Sequence, residues 1–358
     1  MRSKATIYLI MQLSAVLLLC TAMSCSTIKV SRNQPFQLDK THSIVLCDSV
    51  KASELIITDN TDQIFDKITV TDMLVQMKRN FGPEYQTKDI FDAYVTFLQR
   101  DVTNFTPDEM VYVVSAMKEA KRLCDAVSPN IFPPVQQMIK TRSLNYGDGV
   151  YYTRENCILI PANVLKKQNK EDFLSVMIHE IFHVYSRQNP LMRQKLYELI
   201  GFRHLEANAA LEISEPLKSR ILLNPDGTDY RYYINLKLSD EQEIKAIPII
   251  YSKSPMFNPK MPAFFNYLTF EMFEIKPINR GYVVATNKEG GSTLNLKDIP
   301  DFSRQIRDNT NYIIHPDEIL ADNFMFLMLS KKDETGISKF STQGKDLIRQ
   351  IELILKSN

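Results

Sequence analysis

The stretch VMIHEIFHVYSR, residues 176 to 187, sets two histidines and a glutamate inside a run that is otherwise mostly apolar. Helical periodicity places His179 and His183 one turn apart on the same face, so both imidazoles can aim at one point in space. Glu180 falls about 100° further round the helix, outside that convergence but within reach of a water held at it. Val176, Met177, Ile178, Ile181, Phe182 and Val184 surround the three polar residues with apolar surface on nearly every side. A helix of that kind must be packed inside a domain. Two imidazoles and a carboxylate buried without partners would each be strongly destabilising, whereas a metal ion converts all three into satisfied groups. The pattern therefore predicts a buried helix carrying two ligands of a zinc ion, with Glu180 as general base towards water.

A catalytic zinc site usually keeps three protein ligands and one open position, so a third ligand is required. The chain holds five histidines, His42, His179, His183, His204 and His315, and no Cys-x-x-Cys pair. A thiolate zinc site is thereby excluded. Residues 184 to 189 read VYSRQN, which lacks the third histidine of the metzincin pattern. Further along, HPDEILADNF, residues 315 to 324, presents Glu318 and Asp322 four apart with the small Ala321 between them. HExxH followed by ExxxD resembles the gluzincins, the thermolysin-like class of zinc peptidases. The resemblance implies that Glu318 is the third ligand and that Asp322 hydrogen-bonds His179, fixing its tautomer. It also implies hydrolysis of an amide bond, with Glu180 taking a proton from water and passing it to the departing nitrogen.

The long section between His183 and Glu318 departs from most gluzincins. HLEANAALE offers Glu206 at a more usual spacing, without an acidic residue four positions later, and it stays open as the alternative ligand. Tyr185, Tyr312, His315 and Tyr282 are candidates for stabilising the oxyanion. CILIP, residues 157 to 161, reads either as the edge strand that such peptidases place above the metal or as a central strand. Cys157 at its start reads as a small buried hydrophobe, because no base adjoins it.

At the N-terminus, Arg2 and Lys4 precede an apolar run from Ala5 to Leu19, about the length of a signal-peptide core and too short for a confident membrane span. The following Ala22-Met23-Ser24-Cys25 resembles the lipobox of bacterial lipoproteins, with Ala22 standing where Leu is more usual. That resemblance implies cleavage before Cys25, lipid attachment to its sulfur and a place at the bacterial cell envelope. An ordinary secretory signal is the alternative. Beyond Cys25 the chain carries Cys47, Cys124 and Cys157, an odd number that rules out a disulfide framework. Lys+Arg 43 against Asp+Glu 42 leaves a formal charge of +1, so there is no basic field to hold nucleic acid. The expected partners are a peptide or protein substrate and, through the anchor, the membrane.

The expected fold class is α+β, with a zincin-like core of a strand group, the active helix and a second ligand helix. Residues 1–24 read as signal peptide, 25–45 as a tether and 46–134 as an N-terminal helical region. Residues 135–201 read as the core, 202–311 as a β-rich insertion and 312–358 as C-terminal helices. Thr106, Pro107 and Glu109 form a capping-box start, and Asn169 caps a helix from about Lys170 that Asn189-Pro190 stops. Two rival functions remain: an envelope binding or scaffold module that keeps the site without turnover, and an amidase acting on cell-wall peptide.

Overall fold

Residues 30–166 and 169–357 are described by the computed structural model. The expected signal segment and Cys25 lie outside them. From Pro35 the chain runs β1 (Pro35–Gln37), β2 (Ser43–Leu46), α1 (Ser49–Leu55), α2 (Ile64–Lys67), α3 (Val70–Met77), α4 (Thr87–Arg100), β3 (Val102–Thr103) and α5 (Pro107–Asp125). The capping box of α5 forms as expected, since Thr106 accepts from the Glu109 backbone while the Glu109 carboxylate accepts from that of Thr106. Next come β4 (Val135–Thr141), β5 (Tyr152–Arg154), β6 (Cys157–Pro161), α6 (Lys170–Gln188) and α7 (Pro190–Leu199).

These strands make one sheet in the order β1-β2-β4-β6-β5, with β3 also on β4. Strands β2, β4 and β6 run parallel, and β5 is antiparallel to β6. CILIP is therefore a central strand, and the edge reading is corrected: the edge beside it is the three-residue β5. All five residues of CILIP are buried, as an unbroken apolar run requires when a strand is covered on both faces. Helix α6 packs on β5 and β6 and along α5. Two further differences concern the region boundaries. Strand β1 pairs with β2 inside the stretch expected to be a tether, and β2 and β3 tie the expected helical region into the same sheet as the motif helix. Strands of two to four residues carry too few alternations to show a period of two.

The β-rich section forms a second sheet: β7 (Phe202–His204), β8 (Ala210–Glu212), then, after α8 (Glu215–Lys218), β9 (Tyr232–Lys237), β10 (Glu243–Ser252), β11 (Leu268–Ile278) and β12 (Gly281–Val284). Its order is β7-β9-β10-β11-β12-β8, antiparallel except where β8 joins β12. Helices α9 (Pro300–Ile306), α10 (Pro316–Ser330), α11 (Thr335–Ser338) and α12 (Thr342–Lys356) complete the chain. The overall class is α+β. Among the described residues no helix is long and apolar enough to cross a membrane.

The two sheets share a core. Cys47, Ile139 and Leu159 of the first sheet pack with Tyr94 and Leu98 of α4 and with Leu222, Ile250 and Tyr267 of the second section. Within it Asp72 of α3 is fully buried and accepts from Gln76 Nε2 and from the backbone N–H of Leu223, each at 2.9 Å. That second bond pins the approach to the turn Asn224-Pro225-Asp226-Gly227. Burial pushes the Asp72 carboxyl up to about 6 in spite of both bonds. Its contribution to stability is therefore full below the unfolded carboxylate value and lost as pH rises through about 6. Asp72→Asn is expected to remove on the order of 2 kcal/mol of pH dependence between pH 4 and 6. Urea midpoints across that range test this, and an unchanged slope would refute it.

Candidate metal centre

Helix α6 starts where the Asn169 side chain accepts from the Asp172 backbone, and it ends at Asn189 because Pro190 cannot continue it. Helix α10 starts at His315, whose ring Nδ1 accepts from the Asp317 backbone at 3.1 Å, with Pro316 in the first position. The two helices pack directly on each other. Ala321 is completely buried and Phe182 meets Phe324 at 5.3 Å between ring centroids, so the small residue lets the helices close up beside the aromatic contact.

At that crossing three side chains from distant parts of the chain converge. His179 Nε2 stands 3.2 Å and His183 Nε2 3.5 Å from the same oxygen, Oε2 of Glu318. The far nitrogen of each ring meets its own carboxylate: His179 Nδ1 lies 3.0 Å from Asp322 Oδ1, and His183 Nδ1 lies 2.7 Å from Asp317 Oδ2. A carboxylate on Nδ1 places the ring proton there and turns Nε2 to the centre. These carboxylates are held in turn. Asp317 Oδ1 accepts from the Ser186 and Tyr197 hydroxyls, both at 2.6 Å, and Asp322 accepts from the Thr310 hydroxyl. Glu318 Oε1 accepts from Asn224 Nδ2 at 2.7 Å, which leaves Oε2 for the imidazoles. His179, His183 and Glu318 thus form a buried group able to hold a metal ion.

The electrostatics agree with that donor set. Burial alone would lower His179, but the Asp322 and Glu318 carboxylates outweigh it and push it up to about 10. His183 is held above its ordinary range in the same way, burial being outweighed by Glu318, Asp226 and Asp317. Glu318 falls well below the usual carboxylate range because the two imidazoles overcome its burial. The surrounding carboxylates therefore favour positive charge at both rings, and a divalent cation can supply that charge. Glu180 is different. It is 4% exposed, its Oε2 has no hydrogen-bond partner, and burial with the neighbouring Asp226 pushes it up to about 8. A buried, orphaned carboxylate oxygen beside a metal-ligand cluster is an acceptor waiting for a donor from outside the protein.

A cleft of about 420 Å³ opens over this group. Of the four residues considered for the oxyanion, Tyr312 is the one on its wall, with its ring nearly parallel to that of His179 and centroids 6.3 Å apart. Tyr185 is buried in the core, and the Tyr282 hydroxyl accepts from Lys245 on the second sheet. His315 caps α10 and packs so tightly on Gly227 that a Cβ there would stand 2.2 Å from its Nδ1. Glu206 is exposed in the turn after β7 and takes no part in the cluster, which removes it as a ligand. Cys157 is buried and its thiol is raised by that burial, so it is inert. Cys47, Cys124 and Cys157 are all free.

Four residues at the site had not been singled out from the sequence: Asp317, Asn224, Asp226 and Tyr151. Asp317 sits one position before Glu318 and carried a findable signal, because a second histidine needs a second supporting carboxylate. Asn224 and Asp226 lie in an Asn-Pro-Asp-Gly turn, and Tyr151 directly precedes β5.

The result is an α+β protein whose helices α6 and α10 enclose a His–His–Glu cluster that could hold a metal ion. No family model matches the chain, and comparison with curated proteins and with solved structures finds no match.

Proposed function

We propose that the protein is a zinc-dependent hydrolase of the gluzincin type that cleaves amide bonds in peptides or proteins, carried on the bacterial envelope by lipid on Cys25. The observation that carries this reading is the convergence of two carboxylate-backed imidazoles and Glu318 Oε2 beside the orphaned Glu180 oxygen. Zinc held by His179, His183 and Glu318 would supply Lewis acidity, acidifying water and polarising a carbonyl oxygen. Glu180 Oε2 takes the proton of the attacking water and later delivers it to the leaving nitrogen. The Tyr312 hydroxyl, kept protonated chiefly by the Glu318 charge, donates to the carbonyl oxygen as charge develops on it. Asp317, Asp322 and Asn224 hold the three ligands in place throughout. A mixed sheet with an antiparallel edge strand, β5, beside the motif helix supports a zincin-like core, with Val150 and Tyr151 leading from the cleft into that edge.

The scaffold reading is less favoured, because a purely structural site has no use for an unpartnered carboxylate at Glu180. Purified protein is expected to carry one zinc per chain and to hydrolyse unstructured peptides, with the activity abolished by a chelator and restored by zinc. A protein that takes up no zinc when supplied with it refutes the proposal.

A further inference from the structure

Asp226 is used by none of that chemistry. It arrives on the turn before β9, is 9% exposed, and lines the cleft. Its side chain accepts two hydrogen bonds, from the Thr153 backbone at 2.7 Å and from the Thr153 hydroxyl at 2.6 Å. Both fall on Oδ1. Arg187, the guanidinium whose charge reaches Asp226, is directed to Asp62, the Thr153 hydroxyl and the Glu155 carbonyl instead. The cleft wall also carries Asp148 at its rim and contains no Lys or Arg.

A rigidly held carboxylate on a wall without Lys or Arg is matched by a positively charged group. A second metal ion fits poorly. Glu180, His183 and Asp226 also stand close enough together to hold an ion, but with Glu180 reserved for proton transfer and His183 Nε2 turned to Glu318, Asp226 is left to offer a second ion a single carboxylate, fewer ligands than protein metal sites provide. A substrate ammonium fits well. A carboxylate oxygen of Asp226 lies within 4.8 Å of ligand atoms of both Glu180 and His183, and an α-ammonium stands about 2.5 Å from its own carbonyl carbon. A carbonyl presented to Glu180 can therefore place its α-ammonium within hydrogen-bonding reach of Asp226, whereas a lysine side chain carries its ammonium several bonds further off.

Resting on the hydrolase reading, we infer that Asp226 binds the free α-ammonium of the substrate, so that the enzyme removes residues from the amino terminus of peptides.

Asp226→Asn provides the test, since the amide keeps an oxygen for Thr153 and loses the charge. The probes are leucine hydroxamate, N-acetyl-leucine hydroxamate and N-acetyl-lysine hydroxamate, titrated calorimetrically into zinc-loaded protein. Wild type is expected to bind leucine hydroxamate about 10- to 100-fold more tightly than its acetylated form, the range for a hydrogen bond between charged groups. In Asp226→Asn that ratio should fall to about one, with the acetylated probe unaffected. Equal binding of the two leucine probes by wild type, or equal weakening of both by the substitution, overturns the assignment while leaving the hydrolase reading intact. N-acetyl-lysine hydroxamate binding as tightly as leucine hydroxamate moves the ammonium to a side chain and overturns it as well. A protein that holds no zinc removes both readings at once.

Discussion

Glu318→Ala is expected to lose metal and activity together. Glu318 is the one anionic ligand in the cluster, 1% exposed, and its Oε2 is the atom on which both imidazoles converge. Its removal leaves two neutral nitrogens, strips the Asn224 amide of its acceptor and opens a void between α6 and α10. Metal affinity should fall by more than about 100-fold, the upper range for losing a supporting hydrogen bond rather than a ligand. Zinc retained after dialysis against a chelator, read beside circular dichroism, decides the matter. A folded variant that keeps wild-type zinc affinity removes Glu318 from the ligand set. Glu318→Asp serves as the companion, because it keeps the charge while shortening the reach. Intermediate affinity is expected of it.

Glu180→Gln should behave in the opposite way, keeping the metal while kcat falls by about 10²- to 10⁴-fold, the usual contribution of a general base. The substitution is nearly isosteric and leaves His179, His183 and Glu318 untouched. Burial and Asp226 raise Glu180 to about 8 in the protein alone, and a cation at the neighbouring ligands draws it down towards the range where it is ionised at neutral pH. The rising limb of the wild-type rate profile is expected to disappear in the variant. Unchanged hydrolysis by zinc-loaded Glu180→Gln would end the enzyme reading and leave the scaffold. Together the two variants separate holding a metal from using it.

Most of the motif helix was legible in the sequence. Its boundaries follow from Asn169 and Asn189-Pro190, its burial from the apolar residues on every side, and the pairing of His179 with His183 from helical spacing. Glu318 and Asp322 were legible for the same reason, as an i, i+4 pair on one helix. What local pattern cannot carry is which element lies beside which. Asn224 and Asp226 reach Glu318 and Thr153 across 94 and 73 positions, and nothing in an Asn-Pro-Asp-Gly turn announces its neighbours. CILIP was readable as a strand but not as a central one, because strand order depends on β5, whose three residues show no period. Glu206 had a more usual spacing than Glu318 and was excluded only by its position in the turn after β7.

The second sheet lies, in chain order, wholly between the helices that carry the histidines and the glutamate. His179 and Glu318 are 139 positions apart, a closure that is slow and entropically costly until the intervening chain has folded. The turn that steadies Glu318 belongs to that intervening section. The candidate metal centre is consequently a late product of folding: a growing or truncated chain that stops before α10 has two histidines and no third member of the cluster. Assembly of the His–His–Glu cluster is thereby tied to completion of nearly the whole protein, and the three side chains never meet on a partly made one.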